Sequence, residues 1–143
     1  MSRALRPAER ERFDALVEDV LASLPAAVHE MLEESPLIVE DFAPRALIRD
    51  LGLDPDEDDL CGLHSGFALT QRSVSQSGEV PDQIQIFRRG IIDAAGGWEP
   101  GEDEEGPFGG PEAVREQVRI TILHEIGHHF GLDEDDLDRL GYA

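Results

Sequence analysis

The chain has 143 residues, a length that suits one compact domain with its own hydrophobic core and excludes two. Its formal net charge is −20, from 32 acidic and 12 basic residues, and all of the basic residues are arginine. Such a surface repels phosphate groups, so we expect neither nucleic acid nor an anionic membrane as a partner.

The sequence also indicates the compartment. The single cysteine, Cys61, cannot form an internal disulfide. No apolar run approaches the roughly 18 residues that a membrane span needs, and the N-terminus is charged rather than signal-like. We therefore predict a cytoplasmic protein in which residues 1–7 are disordered, and the sequence indicates no particular oligomeric state.

The first two thirds of the chain contain two predicted helices and several predicted strands. Apolar residues recur every three or four positions over residues 7–24, which predicts an amphipathic helix, and residues 26–35 predict a second. Prolines bound a predicted strand at 36–44, and 61–73 supplies a short strand interrupted by glycines. The clearest strand pattern covers residues 82–92, DQIQIFRRGII, where Ile and Gln alternate.

The last third predicts a loop and then a long helix. Residues 96–110 are rich in glycine and acidic residues, which predicts a mobile loop. Pro111 suits the first position of a helix that runs to about Phe130, and Gly131 suits a left-handed C-terminal cap. A final helical turn is predicted over residues 134–140.

The long helix carries the motif HEIGH, residues 124–128. Each helical residue advances by about 100°, so the imidazoles of His124 and His128 point the same way, roughly 6 Å apart along the axis. Glu125 flanks the same position. Two neutral imidazoles that hold Zn²⁺, beside a carboxylate that takes a proton from water, are what a zinc hydrolase requires.

A purely structural role for these histidines would be energetically unfavourable. The helix is apolar nearly all round, which predicts a central position in the domain, and placing histidines and a carboxylate there without a metal would cost several kcal/mol of desolvation. Gly127 lies between the two histidines, where glycine costs about 1 kcal/mol relative to alanine. We interpret this glycine as a position where the sheet comes close to the helix.

A catalytic zinc takes three protein ligands and keeps one open position. Glycine at 131 allows a sharp reversal of the chain, and Glu134 then stands at the eleventh position of H-E-x-x-H-x-x-G-x-x-E, where metzincins place their third histidine. We predict Glu134 as the third ligand and Asp133 as the alternative. Both methionines lie upstream of the motif, which excludes a metzincin with its downstream methionine turn.

These residues resemble the minimal zincin-like metallopeptidases of bacteria, which carry a HExxHHFG helix near the C-terminus. The segments LIVEDFAP (37–44), GLHSGFALTQRS (62–73) and VPDQIQIFRRGI (80–91) look like the family in the same order, so the resemblance covers residues 13–141. Members usually carry aspartate at motif position eleven, and often tyrosine where this chain has His64. The resemblance implies an α+β zincin fold and Zn-dependent peptidase activity.

The sequence thus predicts a single α+β domain over residues 1–143, with a small mixed sheet of three or four strands packed on a central HExxH helix and an N-terminal helix. The predicted function is hydrolysis of a peptide or protein substrate, with His124, His128 and Glu134 on Zn²⁺ and Glu125 as the base. We expect Gln83, Gln85 and Phe87 to form an exposed strand edge that pairs with an extended peptide.

Two alternatives stay open at this point. One small family of zinc-dependent bacterial endoribonucleases has the same ligand spacing, although Glu125, Glu134 in place of histidine, and the net charge argue against it. The other alternative is a non-catalytic interaction module that zinc stabilises, in which chelation would lower the melting temperature without any turnover.

Overall fold

The computed structural model describes residues 4–54, 60–64, 83–131 and 134–139. Its helices and strands confirm the α+β prediction. In chain order they are α1 (Pro7–Ser23), α2 (Ala26–Glu34), β1 (Leu37–Glu40), α3 (Arg45–Asp50), β2 (Gly62–His64), β3 (Ile84–Phe87), α4 (Arg88–Ala95), β4 (Gly101–Asp103), β5 (Gly106–Phe108), α5 (Pro111–Phe130) and α6 (Glu134–Arg139).

A mixed sheet in the order β1-β3-β2 supports one side of the core. Strand β1 runs parallel to β3, with Leu37 opposite Ile84, and β2 runs antiparallel to β3, with Gly62 opposite Ile86. Ile84 and Ile86 are fully buried in the main core, whereas Phe87 packs in a second small cluster with Ala43 and Ile48. The middle strand therefore has apolar contacts on both faces of the sheet.

Helix α1 packs its apolar face into the main core through Phe13, Val17 and Val20. Its first turn is stabilised by Pro7 at the start and by Glu9, whose Oε1 accepts a hydrogen bond from the backbone N–H of Arg6 at 3.0 Å. Leu5 is also buried in this core. The predicted disorder of residues 1–7 is therefore wrong for residues 4–7, where Leu5 packs in the core and Pro7 begins α1.

Helix α5 is central, as predicted, because α1, α4, β2 and β3 all pack against it. Along the helix the fully buried residues are Val114, Val118, Ile122, Leu123 and Ile126. Gly131 ends it in the left-handed region, at φ 68° and ψ 32°, which confirms the predicted cap. None of the helices in the described ranges combines the length and the hydropathy that a membrane span needs.

The predicted strand over residues 82–92 is too long, because the chain turns into α4 directly after Phe87. The backbone N–H of Phe87 donates to the carbonyl of Cys61 at 2.8 Å. In α4, Gly90 lies so close to this segment that a Cβ there would stand 1.9 Å from the carbonyl oxygen of Leu60. The alternating pattern therefore ends where α4 packs closely on the segment before β2. Helix α3 was not indicated by the sequence pattern either.

The glycine-rich acidic segment 96–110 is not an irregular loop as predicted, since it contains the antiparallel hairpin β4–β5. Two backbone hydrogen bonds hold the base of the hairpin, from Gly109 N–H to the Ala95 carbonyl at 2.8 Å and from Gly110 N–H to the Gly97 carbonyl at 2.9 Å. The base lies at the first turn of α5. At 1.5 Å per residue, that turn is about 20 Å from the HExxH turn along the helix axis.

Four charged side chains form what we term the arginine cluster: Arg10, Asp14, Asp41 and Arg88. Arg88 donates to Asp14 at 2.9 Å and to Asp41 at 2.8 Å, and Arg10 approaches Asp41 to 2.8 Å. Partial burial raises the pKa of Asp41, but the hydrogen bonds from Arg10 and Arg88 outweigh burial and hold that pKa below its ordinary value. The cluster ties α1 to the start of α4 and the end of β1.

Candidate metal centre

The HExxH residues lie in the C-terminal part of α5, where exposed and buried positions alternate around the helix. His124 and His128 are exposed and Glu125 is half-buried, whereas their neighbours Leu123 and Ile126 are fully buried. The buried side chains fix the helix against the sheet and against its neighbouring helices. The same helix therefore presents two imidazoles to solvent from a rigid support.

The two imidazoles have the spacing that one zinc ion requires. Their ring centroids are 5.1 Å apart, and the ring planes are inclined at 73°. Two imidazoles on one tetrahedral zinc, with Zn–N bonds of about 2.0–2.1 Å, have centroids about 5 Å apart. The side chains of His124 and His128 therefore fit a shared zinc ion.

Glu125 is in contact with strand β2 through Gly62. A Cβ built on Gly62 would lie 2.9 Å from Cγ of Glu125 and 3.0 Å from Cγ2 of Thr121, one turn earlier on α5. Carbon atoms normally approach to about 3.5–4.0 Å, so only a glycine allows this contact. Gly127 is buried, and the close approach of the sheet interpreted there stays a prediction. The close approach that the structure describes is at Gly62.

The HExxH helix ends shortly after the histidines, at the glycine predicted to cap it. Gly131 ends α5 and α6 begins at Glu134, so two residues lie between the cap and the predicted third ligand. The carboxylate of Glu134 and the whole of Asp133 lie outside the described part of the chain, and the choice between them stays a prediction. Among the described residues, no group of three or more His, Cys, Asp or Glu is arranged to hold a metal.

The predicted substrate edge is wrong. Strand β3 is the middle strand, with β1 on one side and β2 on the other, so its backbone groups already pair within the sheet. Phe87 is fully buried, and Gln83 and Gln85 are half-buried. The alternating pattern identified a strand correctly, but sequence periodicity does not reveal the position of a strand within a sheet.

Sequence analysis did not indicate that Gly62 lies against Glu125 and Thr121. Thr121 is buried, and Gln117 Nε2 donates a hydrogen bond to its hydroxyl at 3.4 Å. A glycine inside a short strand often marks a close approach of another backbone or side chain. That signal was available at Gly62, but the sequence did not indicate which element approaches it.

Comparison with known proteins identifies the family. A family model described as zincin-like metallopeptidase matches residues 32–142 of the chain. The matched region begins in α2 and includes the sheet and the HExxH helix. A search of curated protein sequences finds no significant match.

Proposed function

The chain belongs to the zincin-like metallopeptidase family, and from that membership and the geometry of the HExxH turn we propose that it is a zinc-dependent hydrolase of peptide bonds. The observation that carries the proposal is the pair of exposed imidazoles with centroids 5.1 Å apart. Glu125 follows His124 on the same turn, in the position that a proton-accepting carboxylate needs.

His124 and His128 hold the zinc ion in this proposal, with Glu134 as the third ligand. Zinc in such a site would polarise a carbonyl group and would lower the pKa of a bound water to near neutrality. The histidine side chains supply neutral nitrogen donors from a helix whose opposite face is buried. This rigid placement keeps both donors in position before a substrate arrives.

Glu125 moves the proton. Its carboxylate takes a proton from the attacking water while the water oxygen bonds to the scissile carbonyl carbon. The carbon–nitrogen bond then breaks, and Glu125 gives the proton to the departing amine nitrogen. General acid–base catalysis of this kind contributes roughly 10²–10⁴-fold to a rate.

Strand β2 is the proposed substrate strand. It lies beside Glu125, and β3 is its strand partner among the described residues, so it ends the β1-β3-β2 order there. An extended peptide that adds to β2 would have its backbone held next to the HExxH turn. This replaces the original prediction of pairing along β3.

The test compares zinc-loaded wild type with Glu125→Gln on a pool of unstructured peptides in heavy-oxygen water. Mass spectrometry reads both the cleavage sites and the heavy oxygen in each new carboxyl group. We expect wild type to cleave and the variant to lose about 10²–10⁴-fold in rate, with its zinc content unchanged. Glu112→Gln, at the first turn of the same helix, is the matched control and should keep wild-type activity.

Two outcomes would overturn the proposal. If wild type binds about one zinc per chain but cleaves no peptide, the protein is a non-catalytic module that zinc stabilises. If RNA is cleaved instead of peptides under the same conditions, the protein is a nuclease. Equal activity in wild type and Glu125→Gln would reject the assigned base.

A further inference from the structure

We infer that Gly62 is a positioning residue that sets the side-chain conformation of Glu125, an inference that rests on the proposed function. The two residues are 63 positions apart in the chain, but strand β2 and helix α5 bring them into contact. Gly62 itself contributes no functional group. Its effect on the reaction would come from the space that it leaves for Glu125.

The contact reaches the stem of Glu125. A Cβ on Gly62 would stand 2.9 Å from Cγ of Glu125, which is at least about 0.6 Å inside the normal carbon–carbon distance. Cγ is the atom through which Glu125 aims its carboxylate. The glycine backbone therefore packs on the side-chain bond that decides where the carboxylate lies.

The other neighbours of Gly62 leave β2 little room to retreat. The same Cβ would lie 3.0 Å from the carbonyl oxygen of Gln85 in β3 and 3.0 Å from Cγ2 of Thr121 in α5. One residue before Gly62, the carbonyl of Cys61 accepts the backbone N–H of Phe87 at 2.8 Å. A methyl group at position 62 would push mainly on Glu125, whose half-buried side chain can turn more easily than the backbone can shift.

Gly62→Ala provides the kinetic test. We expect kcat to fall about 10- to 100-fold while KM and zinc content stay at wild-type values, because a base displaced by about 1 Å costs up to roughly 100-fold. In the Glu125→Gln background, Gly62→Ala should cause no further loss. Adding Thr121→Ser, which removes Cγ2 and keeps the hydroxyl, should restore part of the rate.

Gly101→Ala is the matched control. The new methyl group would lie 2.7 Å from Cζ of Phe108, and this exposed ring can turn aside. This variant should leave kcat unchanged. A folded Gly62→Ala protein with wild-type kcat would overturn the inference. An equal additional loss in the Glu125→Gln background would also overturn it, because Gly62 would then act by another route.

A second readout does not depend on activity. In zinc-loaded wild type, a nuclear Overhauser effect between the α-protons of Gly62 and the γ-protons of Glu125 should be observed, and its absence overturns the inference even if Gly62→Ala fails to fold. If wild type cleaves no peptide but the effect is present, the proposed function fails and the contact stands. If wild type cleaves and the effect is absent, the function stands and the role of Gly62 fails.

Discussion

The arginine cluster and the HExxH turn arrange polar side chains in opposite ways. In the arginine cluster, Arg88 meets Asp14 and Asp41 at 2.8–2.9 Å, so opposite charges balance each other at the partly buried edge of the fold. At the HExxH turn, two side chains of the same kind, His124 and His128, lie side by side at 5.1 Å. The first arrangement is complete within the chain, whereas the second has the spacing to share a cation.

The difference teaches how a structural polar cluster can be told from a binding site. Partly buried charges are tolerated where a counter-charge and hydrogen bonds accompany them. Two imidazoles held one helical turn apart in an exposed position gain little for stability from their proximity, but they gain much for zinc affinity. The predictions below test this contrast, from the largest expected effect to the smallest.

Removing either imidazole should have the largest effect. We expect His124→Ala and His128→Ala each to weaken zinc affinity by more than roughly 100-fold, because each removes a direct ligand. Loss of a residue that only hydrogen-bonds to a ligand costs roughly 10–100-fold in affinity. Competition with a chromophoric chelator measures the affinity. His29→Ala, on the exposed face of α2, is the matched control and should bind zinc like wild type. Wild-type zinc affinity in both variants would show that the HExxH turn is not a zinc site, and the contrast with the arginine cluster would fail.

Closing the space at Gly90 should have the next largest effect, on stability rather than on zinc. A methyl group there would lie 1.9 Å from the backbone oxygen of Leu60, which cannot move without displacing β2. We expect Gly90→Ala to lower the free energy of unfolding by about 3 kcal/mol. Urea unfolding followed by fluorescence of Trp98, the only tryptophan, measures it. Gly101→Ala should change it far less, and equal losses would contradict the rigid packing at Leu60.

Replacing Asp41 should have a smaller effect that depends on pH. Its pKa is lowered in the folded state by Arg10 and Arg88, so its stabilisation is present above the ordinary pKa of 3.8 and is lost as the pH falls through the folded-state value. We expect Asp41→Asn to reduce the free energy of unfolding by about 1–2 kcal/mol at neutral pH.

The loss caused by Asp41→Asn should shrink steadily below pH 3.8. Urea unfolding across the pH range measures the change. Asp19→Asn removes a more exposed partner, that of Arg115, and is the control; it should cost far less than Asp41→Asn because solvent screens this pair. A loss for Asp41→Asn that is constant with pH would show that the arginine cluster acts through packing rather than through charge.

The sequence by itself determined the features that depend on neighbours within one or two helical turns. It predicted the start of α5 at Pro111, its end at Gly131 and the last helix from residue 134. It also predicted that His124, Glu125 and His128 share one end of a central helix. These predictions could be made because helix geometry and capping are set by residues three to four positions apart.

Only the tertiary structure decided which segments meet. The sequence did not reveal that β3 is the middle strand, that the chain becomes helical after Phe87, or that segment 96–110 forms a hairpin. It also did not reveal the contact of Gly62 with Glu125 or the meeting of Asp14, Asp41 and Arg88. Each of these depends on contacts between residues distant in the chain, whose energies come from packing and charge in the folded state and leave little periodic signal in the sequence.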